Sequence, residues 1–146
     1  MLITYTTKNY RETQKLGQNF AREILVLSQS KGEKKSAIVI ALSGNLGGGK
    51  TTFLQGFAKG LGIKEKILSP TFVILKHFKN FYHIDCYRIK NEKDMAELGL
   101  KEIMQDPKNI IAIEWPKRIE KILPKEAIFI DFKFVDEKTR EINFRT

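Results

Sequence analysis

The stretch Ala37-Ile38-Val39-Ile40-Ala41-Leu42-Ser43-Gly44-Asn45-Leu46-Gly47-Gly48-Gly49-Lys50-Thr51 decides how this chain is read. Ser36 to Leu42 is apolar without alternation after its first residue, the pattern of a strand buried on both faces, as in a parallel sheet. Gly44 to Thr51 fits G-x-x-x-x-G-K-[ST], a phosphate-binding loop. Behind it, Phe53, Leu54, Phe57, Ala58 and Leu61 line one side of a helix that begins near Lys50, with Gly60 and Gly62 as its stop. Strand, loop and helix in that order are the context the motif requires. Glycines let backbone N–H groups reach phosphate oxygens, and a helix N-terminus adds partial positive charge. Lys50 supplies a full charge to the β- and γ-phosphates, and Thr51 offers a hydroxyl to magnesium. Nucleotide binding is the first expectation.

On the N-terminal side, Thr7 to Gln29 reads as a helix, with Leu16, Phe20, Ile24 and Leu27 as its apolar stripe. On the C-terminal side, Phe72 to Phe78 and Phe81 to Asp85 read as a strand pair around Lys79-Asn80. Asn91 to Gln105 reads as a helix with Met95, Leu98 and Ile103 inward and Pro107 beyond its end. Asn109 to Glu114 repeats the buried-strand signature. Ala127 to Val135 and Arg140 to Phe144 read as an antiparallel hairpin in which Asp131 and Lys133, alternating with Ile130, Phe132 and Phe134, mark one wet face. Strands alternating with helices predict a three-layer α/β domain.

A magnesium site needs more than one hydroxyl, and in such folds a carboxylate ends a neighbouring strand. Asp85 and Glu114 both stand at strand ends, and the residues alone do not rank them. Thr71, in Ser69-Pro70-Thr71-Phe72, fits a hydroxyl presented toward the γ-phosphate side as well as it fits a simple loop-to-strand entry. His77 and His83 lack metal-ligand spacing and read as strand residues. Cys86 has no triad pattern around it and reads as a buried thiol.

The chain has 146 residues, 42% of them hydrophobic, enough for one domain over 1–146 with a core of its own. One cysteine excludes an internal disulfide, and no apolar run approaches the ~20 residues of a membrane span. No secretory signal is visible at the N-terminus, so a cytoplasmic address is expected. The net charge of +9 suits an anionic partner and equally suits a lysine-rich soluble surface.

Taken together, the motifs resemble the TsaE family (formerly YjeE), the small ATPase of bacterial tRNA threonylcarbamoyladenosine synthesis. The resemblance covers most of the chain. It runs through Glu12-Thr13, Gly44 to Thr52, Ser69-Pro70-Thr71-Phe72, His83-x-Asp85-x-Tyr87-Arg88, Glu97-Leu98-Gly99-Leu100 and Glu114-Trp115-Pro116. The family usually carries aspartate and alanine or serine where this chain has Asn45 and Gly48.

The resemblance implies a P-loop NTPase-like three-layer sandwich with a mixed, mainly parallel sheet and a C-terminal antiparallel hairpin. It implies slow hydrolysis of ATP to ADP with Mg2+, faster with the partners TsaD and TsaB, whose complex modifies the tRNA adenosine beside the anticodon. Neither a membrane nor DNA enters. Gly47, Gly48, Gly49, Lys50, Thr51 and Thr52 would bind the nucleotide, Thr13 would lie near its base or ribose, and Arg140 would reach it from the last hairpin. Thr51 and Glu114 would hold magnesium, Asp85 would support the metal or the attacking water, and Lys50, Asp85 and Thr71 would carry the chemistry. Trp115 would sense nucleotide state or a partner.

Two other classes compete. A small-molecule kinase is disfavoured because no arginine-rich lid is present and little chain remains for an acceptor pocket. A nucleotide-bound RNA- or protein-binding module draws mild support from the positive charge. A GTP switch is disfavoured by the absence of an Asn-Lys-x-Asp segment.

Overall fold

The computed structural model describes residues 1–29, 36–44, 49–67, 75–89, 93 and 98–146. Strand β1 (Leu2–Thr7) leads into helix α1 (Tyr10–Gln29), followed by β2 (Ile38–Gly44) and α2 (Lys50–Gly60). Next come β3 (Leu75–Phe78), β4 (Phe81–Asp85), a short helix α3 (Leu100–Gln105) and β5 (Ile110–Glu114). A 3₁₀ segment over Pro116–Ile122 precedes β6 (Ile128–Phe134) and β7 (Arg140–Arg145).

One sheet runs in the order β1-β7-β6-β2-β5-β4-β3. The four central strands β6, β2, β5 and β4 are parallel, β7 and β3 run antiparallel beside them, and the edge strand β1 pairs antiparallel with β7 and so points the same way as the centre. This is the mixed α/β sheet the sequence predicts, including the hairpin of β6 and β7. The unalternated apolar runs are explained by two covered faces. Ile40, Leu42, Ile110 and Ala112 pack with Phe53, Leu54 and Phe57 of α2, while Val39, Ile111 and Ile113 pack with Leu100 and Ile119 on the opposite face.

Several local expectations are corrected. Residues 2–7 form an edge strand paired to β7 and not a helix start at Thr7. Helix α1 starts later because Asn9 Oδ1 accepts the Glu12 N–H (2.9 Å) and Glu12 Oε1 accepts the Lys8 N–H (2.8 Å). These bonds satisfy otherwise orphaned amides at the N-terminus. Of the expected α1 stripe, Ile24 is buried and Leu16 and Phe20 pack against the core, joined by the buried Thr13, Gly17 and Ala21, whereas Leu27 is 55% exposed. Leu98 and Gly99 form a turn with Gly99 at φ +73°, so no continuous helix reaches Gln105 from Asn91, and Leu98 is exposed. Met95 lies outside the described residues. Phe134, expected on the dry face of the hairpin, is exposed under the Arg140 guanidinium.

Helix α2 ends at Gly60, as expected. Gly60 also packs against α1, where a Cβ would sit 2.6 Å from the Gln18 carbonyl oxygen, and Gly56 is tighter still at 1.8 Å from that of Gln14. The backbones of α1 and α2 therefore touch. The stop is completed at Gly62 (φ +83°), where the Gly62 and Ile63 amides donate to Lys59 and Ala58, the paired bonds of a Schellman ending.

Candidate functional site

The C-terminal ends of β2, β5 and β4 lie side by side, with Leu42 opposite Glu114 and Glu114 opposite Asp85. The glycine-rich loop leaves β2 at this edge, so the strand register alone brings both carboxylates to it. Helix α2 resumes at Gly49, which sits at φ +101° as its N-cap with no side-chain cap. The first-turn amides of α2 are thus left without a capping side chain, the arrangement that favours an anion.

Lys50 is only 5% exposed. Its Nζ donates to the Gly44 carbonyl oxygen and lies 3.8 Å from the centre of the Trp115 ring. Burial lowers the pKa of Lys50, while Glu114 and then Asp85 pull it back up. The lysine and both carboxylates consequently share one electrostatic neighbourhood. Asp85 accepts the Tyr87 N–H at 2.9 Å. Its pKa is raised, chiefly by burial, with the Tyr87 bond opposing and the Glu114 charge adding. Glu114 is 3% exposed and its Oε2 lies 2.6 Å from Nε2 of His83.

Trp115 follows Glu114 in a left-handed conformation (φ 58°), and its ring stacks obliquely on that of the exposed Tyr87, 5.1 Å between centres. Thr13 and Arg140 arrive from α1 and β7. A Cβ placed on Gly49 would sit 3.6 Å from a side-chain carbon of each, with Phe132 closing the third side at 3.8 Å. Thr13 is buried and shares a 2.7 Å hydrogen bond with the Thr7 hydroxyl. Arg140 donates to the carbonyls of Asp136 (2.6 Å) and Thr139 (3.0 Å).

The structure therefore brings Thr13 and Arg140 to Gly49, and puts Lys50 within electrostatic reach of Asp85 and Glu114. Thr51 and Thr52 stand in the first turn of α2, half-buried. Gly47, Gly48 and Thr71 lie outside the described residues. His83 is the residue that sequence reasoning undervalued. It is a strand residue, as expected, but one joined to Glu114. Its position two residues before Asp85, on the same face of the strand, was the available signal. His77, on β3, packs edge-on against Tyr82 and takes no part. Cys86 is buried, as expected.

The donors on offer for a metal are hard oxygens: two carboxylates and the Thr51 hydroxyl. Among the described residues no three His, Cys, Asp or Glu side chains come together as a metal cage. That set fits magnesium, which takes one or two carboxylates and completes its shell with phosphate oxygens and water. Among the described residues no helix is long and apolar enough to cross a membrane.

Comparison with known proteins agrees with this architecture. The family profile described as "Threonylcarbamoyl adenosine biosynthesis protein TsaE" matches residues 7–142. The chain is 41% identical over 114 residues to the tRNA threonylcarbamoyladenosine biosynthesis protein TsaE of Bacillus subtilis (75% of this chain, 70% of that protein). It is 33% identical over 141 residues to the protein of the same name from Rickettsia typhi (93% and 90%). The crystal structure of Bacillus subtilis YdiB superposes with a TM-score of 0.76 at 32% identity, covering 99% of this chain and 84% of that one.

Proposed function

The chain belongs to the TsaE family of tRNA threonylcarbamoyladenosine biosynthesis proteins, and on that premise we propose that it is a magnesium-dependent ATPase acting in the cytoplasm with the TsaD/TsaB complex. The observation that carries the reading is the buried Lys50, at the start of α2 and within electrostatic reach of the strand-end carboxylates of Asp85 and Glu114. A lysine placed there among two acids is ready for polyanionic phosphate, for which it would leave the Gly44 carbonyl.

In this reading Lys50 and the first-turn amides of α2 hold the β- and γ-phosphates and take up charge as the terminal phosphoryl group is transferred to water. Gly47, Gly48 and Gly49 supply loop amides, and Thr52 stands beside Thr51 in the same turn. Thr51, Glu114 and Asp85 would hold Mg2+, which supplies charge neutralisation at the phosphates. Asp85 and Thr71 position the water. Thr13 and Arg140, flanking Gly49, contact the base and ribose side. The partners complete the site, tRNA is reached through them, and hydrolysis resets their complex.

The test is nucleoside mass spectrometry of total tRNA from cells depleted of this chain, rescued with wild type or Lys50→Ala. Loss of threonylcarbamoyladenosine, restored by wild type alone, supports the reading. A level indifferent to Lys50→Ala removes ATP from the chain's role.

A further inference from the structure

The buried bond between His83 and Glu114 carries a further inference, which rests on the reading of Glu114 as a metal ligand. His83 and Asp85 leave the same face of β4, and Ala112 and Glu114 leave the matching face of β5. His83 is opposite Ala112, so its reach to Glu114 is diagonal, over a residue whose side chain is a single methyl. The two groups are 1% and 3% exposed and their nearest atoms are 2.6 Å apart. A carboxylate oxygen accepts, so Nε2 of the ring donates. The second ring nitrogen, Nδ1, is buried with no hydrogen-bond partner among the described residues. Packing alone would be served better there by phenylalanine or leucine, which carry no polar atom to desolvate. The imidazole's hydrogen bond to Glu114 is what distinguishes it from them.

We propose that His83 is a positioning residue: its Nε2–H occupies Oε2 of Glu114 and leaves Oε1 as the one oxygen that the nucleotide-linked metal receives. Glu114 is thereby limited to one-oxygen coordination. That restriction favours magnesium, with its strict six-fold shell, over calcium, which accepts two-oxygen carboxylates and looser geometry. Partners that orient a ligand in this way typically contribute about 10–100-fold in metal affinity.

The experiment measures Mn2+ binding to the purified full chain with ADP by electron paramagnetic resonance, with Mg2+ and Ca2+ as competitors. Glutamine can place its amide nitrogen near the Nε2 position, whereas asparagine is too short. His83→Asn is expected to weaken Mn2+ binding about 10–100-fold, to narrow the preference for Mg2+ over Ca2+, and to leave ADP affinity in EDTA unchanged. His83→Gln is expected to restore most of the loss. Equal behaviour of the two variants overturns the proposal. Wild-type protein that binds ADP without strengthening Mn2+ binding overturns the metal-dependent reading beneath it, and this shows before any substitution is made. Should His83→Asn not fold, the wild-type chain decides by ¹H–¹⁵N spectroscopy. The His83 Nε2 proton should stay hydrogen-bonded in the Mg-ADP complex, and a ring that has released Glu114 overturns the proposal.

Discussion

Lys50 holds its ammonium 3.8 Å from the centre of the Trp115 indole ring while donating to the carbonyl oxygen of Gly44. The two residues begin and follow different elements, α2 and β5, and meet because β2 and β5 are neighbours in the sheet. A cation over an indole face contributes about 0.5–2 kcal/mol, depending on how far it is desolvated. On the proposed reading, phosphate would compete for the same ammonium with full charges.

This competition makes Trp115 a reporter. It is the only tryptophan in the chain. Saturating Mg-ADP is expected to draw Lys50 off the ring and change Trp115 emission, and Lys50→Ala is expected to shift the resting emission and abolish the response. Emission that stays constant while calorimetry records binding would show that Lys50 does not move.

Glu114→Gln keeps the shape of the side chain and removes its charge. On the proposed reading, in which Glu114 would hold Mg2+, ATP hydrolysis is expected to fall roughly 10²-fold or more, since charge stabilisation by a bound metal is worth several kcal/mol. Nucleotide affinity in EDTA should change little. Steady-state phosphate release and titration calorimetry together separate the two effects, and an unchanged turnover would remove Glu114 from the site.

The contact between α1 and α2 predicts a contrast of two glycines. Gly56→Ala forces a methyl to within 1.8 Å of the Gln14 carbonyl oxygen as the helices now sit. Overpacking of this kind costs about 1–3 kcal/mol or more, or about 3–10 °C in Tm. At Gly62→Ala no atom lies within 4 Å of the new methyl, and only the positive φ is strained. The expected loss there is about 1–2 kcal/mol, and Gly62→Asn should recover part of it because asparagine tolerates that conformation. Thermal melts that rank Gly56→Ala as the milder change would contradict the packing described.

Burial, with a smaller contribution from Asp85, pushes the Cys86 thiol up to about 12. An unfolded-chain thiol titrates near ~8.5. Between these values the folded state keeps a proton that the unfolded state has lost, so stability falls as pH rises through that window. Cys86→Ala should flatten this part of the stability profile. At pH 8 the folded thiolate fraction is about 10⁻⁴, so iodoacetamide should label the native chain only as fast as it opens. Rapid labelling under native conditions would show the thiol to be accessible.

Much of the fold was legible because its signals are local. The run Ala37 to Leu42 is apolar at every position, which only a strand covered on both faces demands, and the helix behind Lys50 declares its stripe within three turns. Strand β1 was not legible. Leu2, Ile3 and Tyr5 are exposed, so no alternation marks the segment, and its strand character comes from pairing with β7, more than a hundred residues away. The stripe of α1 was legible at Leu16, Phe20 and Ile24, but its glycine was not. Gly17 faces inward because α2 presses against it backbone to backbone, and periodicity of large apolar residues cannot register a contact made by the absence of a side chain.

The candidate site divides the same way. The phosphate-loop motif and the strand-end positions of Asp85 and Glu114 are properties of short segments, and the sequence alone determined them. The sheet order β7-β6-β2-β5-β4 and the packing of α1 on α2 decided the rest: that Thr13 and Arg140 close on Gly49, that Lys50 lies over Trp115, and that His83 reaches diagonally to Glu114 beside Ala112. Each is a meeting of residues about 30 or more positions apart, and it depends on which elements become neighbours and in what register. Neighbour choice is settled by how both faces of the whole sheet are buried at once, a condition that no single segment carries.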